Sequence, residues 1–384
     1  MADPKARAST GSGRGRQGPL IAILLLLAWS AALAAEPESL HDGPAMARLQ
    51  FDHGRLLVDG DISLHGASWR PLRLWIGGRE LDLSRVSRVD RGAPSWIFAA
   101  TGADANLPAT VLMNYRVTFD FPGRTLALAA PGEPAGPGPS LACNAGKSSG
   151  IVTVDASLGG SDLSLAIDLG ASYSFLDADA LRLILDRHPE WPRMTGSAGA
   201  ANMWGWFFPS EEAWMVVRSD ALSVGKGAVS ARIAEPAFVA LPRKSVGSLA
   251  AWYSAKTPVP VAGFLGPNIF RGFRLVIDWP SRKLQLERVT EDVRHDLDSV
   301  GIAIRPEPDG GWAVVTIARR KGKPLAAGLS PGDRLVSIDG HPLSGLTMGA
   351  VSGFLGGRPG DRRIIVVERA GMRLSVMAQV ERMP

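Results

Sequence analysis

Apolar and polar residues alternate with a period of two along most of this chain. The alternating runs are short, and glycine or proline cuts nearly every one. "RVTFDFPGRTLAL" (116–128) shows the pattern: an alternating run, an Asp-aromatic-Pro turn, then a second alternating run. Half-buried β-strands joined by tight turns read this way. Helical spacing is confined to two places. "DADALRLILDRHP" puts Leu181, Ile184 and Leu185 on one face, offers Asp177 or Asp179 as its cap, and meets Pro189 at its end. "LTMGAVSGFLGG" predicts a second, shorter helix. The fold class is mainly β.

The pattern also repeats. Residues 112–128, "LMNYRVTFDFPGRTLAL", align without gaps to residues 270–286, "FRGFRLVIDWPSRKLQL". Tyr115 meets Phe273, Arg116 meets Arg274, Asp120 meets Asp278, and Arg124 meets Arg282. Each copy predicts a β-hairpin, and upstream "RPLRLWIGGRELDLSRV" and "SDALSVGKGAVSARI" are both strand, glycine turn, strand. The copies belong to stretches of unequal length, 47–129 and 150–289. Between them lies "APGEPAGPGPS", whose Pro and Gly density predicts a linker over 130–149. A charged connector, "ERVTEDVRHDLDSV", leads to a third unit at 300–381.

Composition refines this picture in three respects. The chain has 384 residues, enough for two or three domains, with 44 Gly and 28 Pro. Its start carries Lys5, Arg7, Arg14 and Arg16, then the apolar "PLIAILLLLAWSAALAA" with a small-x-small step at Ala32 to Ala34. That order predicts a signal peptide over 1–35, export across the inner membrane and a periplasmic location, with an uncleaved N-terminal anchor as the alternative. Without residues 1–34 the formal charge drops from +5 to +2, so the basic balance is partly a targeting feature. No basic cluster interleaved with aromatics points to nucleic acid. The lone Cys143 cannot form an internal disulfide.

In "SLAIDLGASYSF" an apolar strand delivers Asp168 to a tight turn. Alone, Asp-x-Gly is also an ordinary turn. "GFLG" (263–266) follows about a hundred residues later, and the repeated hairpin comes directly after it. This combination resembles the retropepsin-like aspartic peptidases over about 140 residues. The resemblance implies a retropepsin or pepsin-like β-barrel lobe, preceded here by a truncated repeat lobe. It implies an endopeptidase whose two facing carboxylates share one proton, with Asp168 as the catalytic residue. Leu169, Gly170, Ala171, Phe264, Leu265 and Gly266 would support the loop. The family's flap would fall at 196–209, where Trp204, Trp206 and Phe207 would either cover an apolar peptide or serve as sheet core. The sequence departs from the family at Leu169, where relatives carry Thr or Ser. The first repeat also holds no Asp-x-Gly-Ala; "LLVDGDIS" offers Asp59 and Asp61, read as turn or surface acids. A second carboxylate would come from Asp168 of another copy, which implies a homodimer. The alternative is a retropepsin-fold protein without chemistry that binds peptides or acts as a scaffold.

The third unit contains "GLSPGDRLVSIDGHPL" (328–343) and closes with "GDRRIIVVERAGMRLSVMAQV". It resembles a PDZ domain over about 80 residues. The resemblance implies a β-sandwich with two short helices that takes peptide C-termini as an added strand. By the family's order, Gly301, Ile302, Ala303 and Ile304 would form the carboxylate loop and binding strand, faced by Val351 and Leu355; the alternative is a PDZ unit that docks only within its own chain. Other chemistries lack their signatures: there is no G-x-S-G-G nucleophile loop, and "NAGKSSG" lacks the upstream glycine of a phosphate loop. The six histidines show no metal spacing, so neither metal nor cofactor is expected.

Overall fold

A computed structural model describes residues 20–22, 45–52, 55–65, 70–83, 107–132, 136–171, 173–197, 214–241, 251, 253–291, 298–307, 309–346 and 348–384. They form three sheets, and the chain is mainly β. At the middle of the ten-stranded sheet the two copies of the repeat lie side by side. Each is a hairpin, Arg116–Asp120 with Thr125–Ala129 and Phe273–Asp278 with Lys283–Arg288. Their inner strands pair antiparallel, with Arg274 opposite Asp120, Val276 opposite Thr118 and Asp278 opposite Arg116. Thr118 and Val276 occupy equivalent positions of the repeat, so a local two-fold axis passes between them.

The same physics closes both turns. Asp120 Oδ1 accepts the Gly123 N–H at 2.8 Å, and Asp278 Oδ1 accepts the Ser281 N–H at 3.1 Å. Arg124 and Arg282 both take a left-handed φ of 53°. Across the axis, the Arg274 guanidinium donates to Asp120 Oδ2 at 2.8 and 3.1 Å and to Glu287 at 2.8 Å. The likeness continues upstream into paired 3-10 turns, Ala109–Leu112 and Pro267–Ile269. It continues outward as well: Ala45–Asp52 flanks the first hairpin as Ser140–Ala142 flanks the second. Buried residues of both copies, among them Phe119, Phe121, Phe270 and Leu275, join one core cluster. Each large apolar side chain removed from water there contributes about 2–3 kcal/mol.

Residues 130–149, expected as a linker, are in part sheet. Ser140–Ala142 and Asn144–Ala145 are strands, because Leu141 and Cys143 alternate inward between exposed neighbours. Leu20–Ala22, inside the expected signal peptide, pairs with Arg55–His65, with Leu20 opposite Asp59. Among the described residues no helix is long and apolar enough to cross a membrane.

The twelve-stranded sheet holds the Asp168 region, and its central order runs Val152–Leu158, Ser161–Ile167, Gly263–Leu265, Ser174–Asp177, Ala237–Leu241. The expected helix forms at Ala178–Leu185. Asp177 caps it by accepting from the N–H groups of Asp179 and Ala180, a contact that contributes about 1 kcal/mol.

The third sheet runs Ile302–Pro306, Trp312–Ile317, Arg334–Ile338, Arg362–Arg369, Met372–Gln379 and has its own core. The second predicted helix, Met348–Leu355, packs beside Ile302–Pro306. This unit is fastened to the twelve-stranded sheet. Arg319 pairs with Thr195, Met383 and Ala318 bury against Met194, and the Arg218 guanidinium donates to the Met383 carbonyl at 3.3 Å.

Candidate functional site

Asp168 stands at the end of Ser161–Ile167, where the chain leaves one strand and re-enters the sheet as Ser174–Asp177. Between these two strands runs Gly263–Leu265, parallel to the first and antiparallel to the second. The loop of Asp168 therefore passes over the end of the glycine-containing segment. A Cβ on Gly263 would collide with the Phe175 carbonyl, so this middle strand requires glycine to fit. The Asp168 N–H donates to the Leu265 carbonyl at 2.9 Å, which fixes the loop to that strand.

Asp168 is buried, with 2% of its surface exposed. Its Oδ1 accepts the Gly170 N–H at 3.0 Å, and its Oδ2 accepts the hydroxyl of Tyr253 in a very short hydrogen bond. Tyr253 is buried, and its ring stacks on Phe264 with centroids 5.0 Å apart. Burial first, and then the charge and hydrogen bond of Asp168, push the Tyr253 phenol well above its ordinary value. The phenol therefore stays a donor across the working pH range. Phe264 in turn lies 4.9 Å from Phe175, so three aromatic rings wall the carboxyl group's side of the sheet.

A second polar network ties the loop's exit to the crossing segment. Ser174 Oγ accepts the Gly266 N–H at 2.8 Å and donates to Asn268 Oδ1 at 2.8 Å. Asn268 Nδ2 donates to the Ala237 carbonyl at 3.1 Å. Leu169, the residue where a hydroxyl was expected, is 1% exposed and packs in the large core cluster. Its side chain sits on the apolar side of the loop, where it makes no hydrogen bond, and the hydroxyl of Ser174 ties the loop's exit to Gly266.

The structure thus brings Asp168, Leu169, Gly170, Ala171, Phe264, Leu265 and Gly266 together. Trp204, Trp206 and Phe207 lie outside the described residues. Asp59 and Asp61 are within the strand Arg55–His65, not at a turn, because apolar residues flank both and the strand runs on through them. Tyr253, Ser174 and Asn268 escaped sequence reasoning. No spacing marks Tyr253, whereas Ser174 and Asn268 carried a signal as polar residues set within the apolar runs "SYSFL" and "GPNIF".

In the third unit Gly301 has a φ of 75°, a left-handed value that favours glycine, and opens the strand Ile302–Pro306. Ile302, Ala303 and Ile304 are buried; Ile302, Ile304, Val351 and Leu355 share one cluster. Among the described residues this strand is the edge of its sheet, with Trp312–Ile317 on one side and the helix Met348–Leu355 beside it.

No family model matches the chain, and no curated protein matches it. One solved structure it resembles is a photosystem II D1 C-terminal processing protease, 24% identical, with a TM-score of 0.19. That match covers 23% of this chain, which spans about a quarter (24%) of the protease. Another is an HtrA-type protease with a decapeptide, 14% identical over 68% of each chain, with a TM-score of 0.21. Both scores fall far short of a shared fold, and the chemistry of the chain rests on its own residues.

Proposed function

We propose that the chain is an exported aspartic-type endopeptidase whose working carboxylate is Asp168. A C-terminal PDZ-type unit recruits peptide C-termini along Ile302–Pro306. The observation that carries the reading is the loop of Asp168 held over Gly263–Leu265, with its exit clamped by Ser174 and Asn268. A carboxyl group so placed, at a strand end and walled by aromatic rings, is suited to sharing a proton with a second carboxylate. One member of such a pair takes a proton from water as it attacks the peptide carbonyl, and the other gives one to the carbonyl oxygen. The first copy supplies no Asp-x-Gly-Ala, so the second carboxylate is assigned to Asp168 of another copy of the chain, and the active species is a dimer. In the third unit, the strand Ile302–Pro306, at the sheet edge among the described residues and beside the helix, suits strand addition.

The test is turnover of mixed peptides at about pH 4–7 by the mature protein and by Asp168→Asn, with thermal transitions recorded for both. Cleavage by the wild type that disappears in a folded Asp168→Asn is expected. Cleavage unaffected by the substitution removes Asp168 from the chemistry.

One observation favours a second reading, a peptide-binding or scaffolding protein without chemistry. Both carboxyl oxygens of Asp168 already accept hydrogen bonds in a site 2% exposed. No turnover by the wild type, together with peptide binding that survives Asp168→Asn, is the result that reading expects.

A further inference from the structure

Among the described residues, the donors to the two oxygens of Asp168 differ in kind. The Gly170 N–H belongs to the turn itself, two residues on, and cannot leave without remaking the loop. The Tyr253 hydroxyl comes from a separate segment, 85 residues away in sequence. Its main chain is fixed independently of the carboxyl group: the Tyr253 carbonyl accepts from the Lys256 N–H at 2.8 Å. Next to it, Ser149 Oγ donates to the Lys256 carbonyl. Rotation of one side chain would therefore release Oδ2 while the backbone on both sides stayed in place.

A carboxylate oxygen that accepts a phenol hydrogen bond has that lone pair engaged, and the hydroxyl stands where another donor would have to approach.

We propose, on the reading of Asp168 as the working carboxylate, that Tyr253 is a latch: its hydroxyl occupies the place on Oδ2 that the reacting water or substrate carbonyl must take, and the site opens when this side chain swings out. Phe264 is the surface against which the latch closes, through the ring stack. The latch replaces nothing that the turn needs, because Gly170, Leu265 and Ser174 hold the loop without it.

The experiment compares wild type, Tyr253→Phe, Tyr253→Ala and Asp168→Asn by two readouts, each on protein shown to be folded by its thermal transition. The first is alkylation by a small aryl epoxide, mapped by peptide mass spectrometry. A carboxylate oxygen opens the epoxide, a C–O ester bond forms as the ring C–O bond breaks, and the new alkoxide takes a proton from water. The second readout is peptide turnover. Labelling at Asp168 is expected to run about tenfold or more faster in Tyr253→Phe than in wild type, and at least as fast in Tyr253→Ala, because loss of a hydrogen bond to a charged group is worth at least that factor. Asp168→Asn should show no label at this position. Tyr253→Phe keeps the ring and its stack, so the test stands even where Tyr253→Ala fails to fold. Faster labelling with faster turnover upholds both the latch and the hydrolytic reading. Faster labelling with no turnover in any variant upholds the latch and ends that reading. Labelling of Tyr253→Phe no faster than wild type, or turnover lowered by it, overturns the latch.

Discussion

The first copy of the repeat, residues 107–129, and the second, residues 265–288, agree down to the φ of 53° at Arg124 and Arg282. Leu107 and Leu265 are both fully buried, and each copy runs through a 3-10 turn into a hairpin closed by an Asp carboxylate. They part company at the polar groups. Gly266 gives its N–H to Ser174, whereas its counterpart Pro108 has no N–H to give. Asn268 bridges Ser174 and the Ala237 carbonyl, whereas its counterpart Thr110 keeps a buried hydroxyl that finds no hydrogen-bond partner among the described residues. Packing and turn closure need apolar volume and one carboxylate, and both copies meet that need. Holding a loop that presents a buried carboxyl group needs donors and acceptors at fixed points, and the second copy alone has them at these positions.

The comparison can be broken by making the second copy resemble the first. Gly266→Pro removes the donor to Ser174 and sets a Cβ about 2.7 Å from the Tyr173 carbonyl. It should lower stability by about 3 kcal/mol or more in denaturant unfolding. A loss within ~0.5 kcal/mol would mean that the clamp does not hold the loop. Next comes a pH effect on the second copy's side of the sheet. Burial, and then the charge of Asp278, raise the Cys143 thiol from 9.0 to about 12. Between those values the unfolded chain loses the proton and the folded chain keeps it. Stability should therefore be full below about pH 9 and fall above it by ~1.4 kcal/mol per pH unit. Urea unfolding at about pH 8 and pH 10 measures this, and Cys143→Ala should flatten the slope. The smallest effect is expected in the first copy. Thr110→Val swaps an idle buried hydroxyl for a methyl group and should leave stability unchanged or raise it by up to about 1 kcal/mol. A clear loss would show that Thr110 has work in the first copy.

The alternation of Arg116–Asp120 and Thr125–Ala129 and the match between copies made the hairpins legible, as the apolar stripe of Ala178–Leu185 made its helix legible. These features are local, with a period that a single stretch reveals. The pairing of the copies across Thr118 and Val276 was hidden, because nothing within one strand names its neighbour. The strand at Ser140–Ala142 was masked by the prolines and glycines just before it. Of the site, Asp168 and Gly263–Leu265 were legible as turn and glycine step, and Leu169 was legible as a misfit. The tie at the loop's exit joins Ser174 to Gly266 and Asn268, 92 and 94 residues away, and the cap on Asp168 comes from a tyrosine 85 residues away. Contacts over such separations are set by topology, which the pattern of one segment does not contain.

The two-fold axis between Thr118 and Val276 has a consequence for how such a molecule can change. When identical subunits meet across a two-fold axis, every substitution appears twice, on both sides of the interface. A proline that suits one side must be tolerated by the other. With both halves on a single chain, that obligation lapses. Position 108 can be proline while position 266 stays glycine, and one half is free to become scaffolding while the other keeps a carboxyl group under a tyrosine. The surviving symmetry is carried by the backbone and the turn-closing carboxylates of both halves, and the departures lie in the polar side chains and N–H groups that only one half uses.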